Sequence, residues 1–246
     1  IGVYAETGKT GTMVLAGIVL LNGAVMVLGQ RSLISNFLLV ICVCVALFVL
    51  WQGKQVLPEI YRFGGLRTST NAVPFSIVSN MDEAFIALAF LPIFFQLKKK
   101  SAQSLPMSGL LFITGMYLMV SSGLLITTAL LLKKVQFEFT YPGFMSIWII
   151  NTAWVSFSEE LFYRGVVQNY LIKTIPSMPN VAVLFTAVIY GLMYSRLGWD
   201  IVGLCVMAGL FYGFLYKGTK RIWCPILLHV CLNSIHFIFF SYPFLA

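Results

Sequence analysis

The chain has 246 residues, of which 59% are hydrophobic and only 10% are charged, and its formal net charge is +8. Soluble globular domains carry about 25% charged residues, so this composition excludes a soluble domain. The positive charge lies in short segments between apolar runs, among them 98–100, 133–134 and 217–221. This pattern is typical of topology signals and contacts with lipid head groups, and no nucleic-acid partner is expected.

Eight apolar runs follow one another along the chain and predict an all-α fold. The chain is therefore expected to be a polytopic integral membrane protein with about eight transmembrane helices. A full crossing needs about 20 residues, so the third and sixth runs are short, and six or seven spans are the alternative counts. The runs cover residues 11–29, 33–51, 84–97, 107–132, 143–161, 180–194, 200–216 and 222–242.

The sequence has no internal boundary that would divide it into separate domains. No polar stretch rich in Pro, Gly or Ser is long enough to act as a linker. We therefore expect a single membrane domain over 1–246. Residues 1–142 would supply N-terminal spans, and 143–246 would supply the core helices that carry the motifs described below.

The distribution of basic residues predicts the orientation in the membrane. With eight spans, one side of the membrane holds slightly more Lys and Arg than the other, and the positive-inside rule makes that side cytoplasmic. Both termini would then lie outside, and Glu159 would lie near the cytosolic end of its helix. The more basic side comprises Arg31, 98–100, Arg164, Lys173 and 217–221.

Two adjacent carboxylates and an arginine lie at the end of the apolar run 143–161. An ionised side chain at the centre of a bilayer costs roughly 2.5–3.5 kcal/mol on insertion scales, so three together indicate a functional site. Glu160 and Arg164 are four residues apart and share a helical face, which predicts an ion pair. Glu159 is rotated by about 100° from Glu160. It is therefore outside that pair and available for chemistry.

The last apolar run carries a polar stripe of its own. His229, Asn233 and His236 have the spacing i, i+4, i+7 and lie on one face of a helix. One interpretation is a seam of hydrogen bonds between helices. The other is that the stripe faces the helix of Glu159 and completes a site of base and hydrogen-bond donors.

The sequence lacks the catalytic residues that most classes of intramembrane hydrolase require. There is no H-E-x-x-H for a zinc enzyme and no G-x-S-x-G for a serine nucleophile. The two aspartates, Asp82 and Asp200, are placed as if they began helices, and they do not form a convincing catalytic pair. A glutamate that activates water remains. A metal held by Glu159, His229 and His236 is conceivable, but no local ligand motif supports it, so no metal and no cofactor is expected.

Three motifs in order resemble one known family. The run 159–165, with E-E-x-x-x-R-G and similarity extending through 168, resembles the first motif of the CAAX protease and bacteriocin-processing family of glutamic-type intramembrane endopeptidases. The third motif, H-x-x-x-N, is matched by His229 and Asn233. At the place of the second motif, F-x-x-x-H, the chain has Tyr190 and Tyr194.

The resemblance implies a polar cavity among the helices that is open toward the cytosol, and it implies a role for each site residue. Glu159 would activate a water for attack on a peptide carbonyl, and Glu160 with Arg164 would brace the helix. His229 and Asn233 would donate hydrogen bonds to the developing oxyanion. Tyr194 replaces a histidine that helps to polarise the water, and a phenol with a pKa near 10 is a poor proton acceptor at neutral pH.

Three functions follow as expectations. The first is a glutamic endopeptidase in the plasma membrane of a prokaryote, which cleaves a peptide or protein near the cytoplasmic surface of the bilayer. Its substrate could be lipid-modified or membrane-anchored. The second, suggested by Tyr194, is a family member with impaired catalysis that acts as the membrane-embedded scaffold of a stable protein partner. The third is a small transporter or channel lined by the Glu, Arg and His side chains.

Overall fold

The structure is a computed structural model that describes residues 37–46, 90–91, 94, 105–139 and 145–241, without the side chains of 145–148, 151 and 241. This part of the chain is mostly helical. After a helical stretch at Phe37–Ala46, the elements are α1 (Met107–Leu131), β1 (Gln136–Phe137), α2 (Met145–Glu160), a π-helix (Leu161–Gln168), α3 (Asn169–Thr174), α4 (Pro179–Leu192), a 3-10 turn (Ser195–Leu197), α5 (Trp199–Thr219), α6 (Trp223–Phe239) and β2 (Phe240–Ser241).

The helices of the described region match the last five predicted spans. Two of them, α1 and α5, are long and apolar enough to cross a membrane by length and composition, with mean hydropathies of 1.9 and 1.6. The first predicted span, 11–29, lies outside the described residues. The second and third are described only in part, so the count of eight stays a prediction. The all-α expectation misses one small feature, a two-residue antiparallel ladder that pairs β1 with β2.

The helix that carries the two glutamates continues beyond its predicted end at Leu161. The backbone stays helical from Met145 through the π-helix to Thr174, because the residues that link α2, the π-helix and α3 keep right-handed helical angles. Glu159 therefore lies midway along a continuous helical stretch, and its expected position near a helix end is wrong. The prediction ended the helix at its charged residues, but these residues are paired with neighbouring helices and remain buried.

α4 and α5 pack against each other at very short range. A Cβ on Gly191 would lie 2.8 Å from the backbone oxygen of Val202, and a Cβ on Gly209 would lie 3.1 Å from Cα of Ala187. Small residues at such positions allow two helix backbones to approach closely. This contact fixes the end of α4, which lies two residues before Tyr194.

Contacts at the two ends of the bundle show how the helices alternate in direction. At one end Lys134, after α1, forms a 3.0 Å ion pair with Asp200 in the first turn of α5, and β1 pairs with β2. At the other end Lys217 of α5 donates to Asn180 of α4. Gly198, not Asp200, is the N-cap of α5, so the expected capping role of Asp200 is replaced by this ion pair.

Candidate active site

A buried ion pair lies at the junction of α2 and the π-helix. Nε of Arg164 is 3.2 Å from Oε2 of Glu160, and both side chains are fully buried. The same guanidinium donates through Nη2 to the backbone oxygen of Gly209 on α5, at 3.1 Å. The spacing of four residues predicted this pair. The contact with Gly209 ties the pair to a second helix.

The imidazole of His229 lies between the two carboxylates. Its Nδ1 is 2.9 Å from Oε1 of Glu160, which is a hydrogen bond. Its Nε2 is 3.8 Å from Oε2 of Glu159, which is longer than a hydrogen bond. Glu159, Glu160 and His229 are 3%, 0% and 2% exposed. The first histidine of the terminal stripe therefore faces both glutamates inside the protein.

Tyr194 completes the contacts around Glu159. Its hydroxyl donates to Oε1 of Glu159 at 2.9 Å, and it reaches that position from the turn that follows α4. A tyrosine at this place in the chain thus lies within hydrogen-bond distance of the glutamate. Three separate elements, α2, the α4–α5 turn and α6, supply side chains to one buried cluster.

Three tyrosine rings surround the guanidinium of Arg164. The Cζ atom lies 4.9 Å from the ring centroid of Tyr190, 5.2 Å from that of Tyr212 and 5.8 Å from that of Tyr163. At such distances the π-faces of aromatic rings attract a cation. The rings thus provide favourable surroundings for a charge that has no access to water.

A second side chain of the π-helix repeats the contact that Arg164 makes with α5. Nε2 of Gln168, four residues after Arg164, donates to the backbone oxygen of Gly213 at 3.0 Å, four residues after Gly209. A Cβ on Gly213 would lie 2.9 Å from Oε1 of Gln168. Gly213 therefore leaves room for the side chain of Gln168, whereas Gly209 leaves room for Ala187 and Tyr190 of α4.

The rest of the terminal stripe makes contacts within α6. Oδ1 of Asn233 is 3.1 Å from Nε2 of His236, and both residues are partly buried. Both residues lie on one helix, so this contact is not part of a seam of hydrogen bonds between helices, and that interpretation stays a prediction. The structure thus brings together Glu159, Glu160, Arg164, Tyr194 and His229, and it places Asn233 one helical turn beyond His229. Their catalytic roles stay predictions.

Within the described residues, no group of three or more His, Cys, Asp or Glu side chains is arranged to hold a metal ion. His236 is engaged with Asn233. The conceivable set of Glu159, His229 and His236 is therefore not assembled as a metal site in this part of the protein.

Residues 141–235 match the family model described as type II CAAX prenyl endopeptidase Rce1-like. This segment of the chain is similar to the CAAX protease family. The matched segment contains all six predicted site residues, and the family it resembles is one of membrane endopeptidases. No curated protein and no solved structure matched the chain.

Several residues that contact this cluster were not predicted from the sequence. Gln168 had a usable signal, because it follows Arg164 by four residues and so lies on the same face. Gly209 and Gly213 also had one, since their spacing is the small-x-x-x-small pattern of close helix pairs. Tyr212 had none, because it is one of 11 tyrosines and only the folded structure shows which ring lies against His229.

Proposed function

We propose that the chain is an intramembrane glutamic endopeptidase in which Glu159 is the general base that activates water. The observation that carries this proposal is the convergence of Tyr194 and His229 on the two oxygens of one buried carboxylate, at 2.9 and 3.8 Å. Two adjacent carboxylates without such neighbours would destabilise the folded protein, because unpaired charges in an apolar interior cost free energy. With them, Glu159 has the surroundings that a positioned base requires.

The distance between Glu159 and His229 suits a shared water. Two atoms 3.8 Å apart can both lie at about 2.8 Å from one water oxygen. The hydrogen bond from Tyr194 to Oε1 directs Oε2 toward that water. In the proposed reaction Glu159 takes a proton from the water, whose oxygen attacks the peptide carbonyl carbon. The proton then passes from Glu159 to the leaving nitrogen as the C–N bond breaks.

Charge balance favours a protonated His229 in this reaction. Two carboxylates and one guanidinium leave the buried cluster with a net charge of −1, and an imidazolium makes it neutral. Buried charges are costly unless they are paired. With Nδ1 donating to Glu160, an imidazolium has its Nε2–H group left to point toward the oxyanion. Glu160 and Arg164 then act by holding His229 rather than by touching the substrate.

Asn233 is proposed as the second donor to the oxyanion. Its Oδ1 atom is 3.1 Å from Nε2 of His236, so the oxygen of the amide is engaged and the Nδ2 hydrogens are the group that can donate. Asn233 lies one turn after His229 on the same face of α6. A donor aimed at developing negative charge contributes about 10²–10³-fold in rate.

The proposed substrate is the C-terminal segment of a prenylated protein. This follows from the description of the matched family, which names a CAAX prenyl endopeptidase. A lipid-modified peptide would be delivered to the site by the bilayer, which suits a buried cluster among apolar helices. The cleavage position near the cytoplasmic surface is part of this proposal.

The test is cleavage of a quenched fluorescent peptide that ends in a farnesylated CAAX sequence, by the purified protein in liposomes. Wild type is expected to release the C-terminal tripeptide, identified by mass spectrometry. Glu159→Gln keeps the shape of the side chain but cannot accept the proton, so its rate should fall by about 10²–10⁴-fold. The unmodified peptide, run in parallel, measures the contribution of the lipid.

Glu138→Gln is the matched control, because Glu138 is exposed and lies outside the cluster. It should cleave at the wild-type rate. Equal rates for wild type and Glu159→Gln would remove the proposal for Glu159. An intact, folded wild type that cleaves neither probe would favour the scaffold alternative.

A further inference from the structure

The plane of the His229 imidazole needs a constraint that its own side chain does not provide. The χ2 torsion of histidine has a broad energy minimum, so packing and hydrogen bonds decide the tilt of the ring. The hydrogen bond from Nδ1 to Glu160 selects one of the two flipped orientations. It leaves the ring able to tilt about its axis, which would move Nε2 relative to Glu159.

Tyr212 of α5 supplies a flat surface against that ring. The centroids of Tyr212 and His229 are 4.6 Å apart, and the ring planes differ by only 17°. Tyr190 meets the same imidazole edge to face, at 6.3 Å and 86°. Tyr212 is 2% exposed, so it is itself held by its surroundings. Stacked and edge-to-face rings are the two favourable geometries for aromatic pairs.

Tyr212 also contacts the cation that holds Glu160. The Cζ atom of Arg164 lies 5.2 Å from the centroid of the Tyr212 ring. Arg164 donates to Gly209, three residues before Tyr212 on α5. One short segment of α5 therefore contacts both the imidazole and the guanidinium, the two groups that contact Glu160.

We propose that Tyr212 is a positioning residue, whose ring fixes the plane of His229 so that Nδ1 meets Glu160 while Nε2 faces Glu159. It acts through His229 and touches no reacting atom. Its effect on cleavage rests on the function proposed above, but its effect on the ring of His229 does not. The flat surface is the required feature, so phenylalanine should replace tyrosine and a non-aromatic side chain should not.

The test uses the fact that the chain has only two histidines. Ring-15N-labelled histidine gives two sets of imidazole signals, and His236→Gln assigns them. In wild type and in Tyr212→Phe, His229 should show a slowly exchanging proton on Nδ1, where the ring contacts Glu160. In Tyr212→Leu that proton should exchange at least about tenfold faster, because the stacked surface is lost. Tyr212→Met fills the space with a flexible side chain and should behave like Tyr212→Leu. It replaces the leucine variant in the test if that variant unfolds.

Phe211→Leu is the matched control, because Phe211 is the neighbouring ring on α5 and packs edge to face on Tyr117 at 6.4 Å instead. It should leave the signals of His229 unchanged. On the farnesylated probe, Tyr212→Leu should lower kcat by about tenfold with KM within about twofold, and Tyr212→Phe should restore kcat. Unchanged His229 signals in both Tyr212→Leu and Tyr212→Met would overturn the proposal. A ring that responds in a protein without cleavage activity would instead contradict only the proposed function.

Discussion

Arg164 is the buried cation that compensates the negative charge of Glu160. It is fully buried, it pairs with Glu160 at 3.2 Å, and it donates to the backbone of Gly209. A buried ion pair adds little net stability, since the cost of removing two charges from water offsets their attraction. Removing one partner is different, because the other charge then stays buried alone.

Arg164→Gln should therefore destabilise the protein strongly. The expected loss is about 3–5 kcal/mol of unfolding free energy, measured by thermal unfolding in detergent. Glu160→Gln combined with Arg164→Gln should lose less than Arg164→Gln alone, because no charge is then stranded between those two positions. Arg196→Gln, at an exposed position, is the control and should stay near wild type. An Arg164→Gln protein as stable as wild type would show that the pair is not buried.

At the level of single elements, the contact between α4 and α5 positions two parts of the site. α4 leads into Tyr194, and α5 presents the backbone oxygens of Gly209 and Gly213 to the π-helix. The close approach depends on glycine at the contact. At Gly191 an added Cβ would meet backbone atoms of α5, which cannot move aside as a flexible side chain can.

Gly191→Ala should cost about 1–3 kcal/mol of stability, the range for overpacking a tight interior. It should also lower the rate of cleavage, because Tyr194 lies in the turn that follows the end of α4. Gly203→Ala is the matched control on α5. Gly203 is exposed and has open space around its Cβ position, so alanine should be neutral or slightly stabilising there. Equal thermal stability of the two variants would contradict the close packing described for α4 and α5.

The sequence predicted elements and pairs that depend on local spacing, and it failed where distant contacts decide. The helices near 107–132, 180–194, 200–216 and 222–242 followed from apolar length, and the Glu160–Arg164 pair followed from a spacing of four. The continuation of the helix past Leu161 could not be predicted, because it depends on partners from α5 that bury Arg164 and Gln168. The stacking of Tyr212 on His229 likewise joins residues on two helices without a local signal.

At the scale of the whole molecule, contacts between the described helices identify the two ends of the bundle. Lys134 and Asp200 meet at one end of the bundle, and Lys217 and Asn180 meet at the other. The predicted alternation of spans likewise places the first pair on one side of the membrane and the second pair on the other side. The positive-inside rule then makes the end with 217–221 cytoplasmic, which stays a prediction.

Labelling with a membrane-impermeant maleimide tests this orientation. The five native cysteines are replaced by alanine, and one cysteine is introduced at a time. Arg221→Cys should react only after the cells are permeabilised, and Glu138→Cys, at the other end, should react in intact cells. The reverse pattern would invert the orientation, and labelling of both sites in intact cells would argue against a span between them.

The measurement that tests the central claim most directly is a double-mutant cycle of Glu159→Gln and Tyr194→Phe on the farnesylated probe. A hydrogen bond to a charged group is worth about 1.5–3 kcal/mol, so Tyr194→Phe alone should lower kcat by roughly 10–100-fold. Residues that act as one unit give effects that do not add. The double variant should therefore cleave within about threefold of Glu159→Gln alone. If the two losses multiply instead, or if Glu159→Gln retains wild-type activity, Glu159 and Tyr194 do not form one catalytic site.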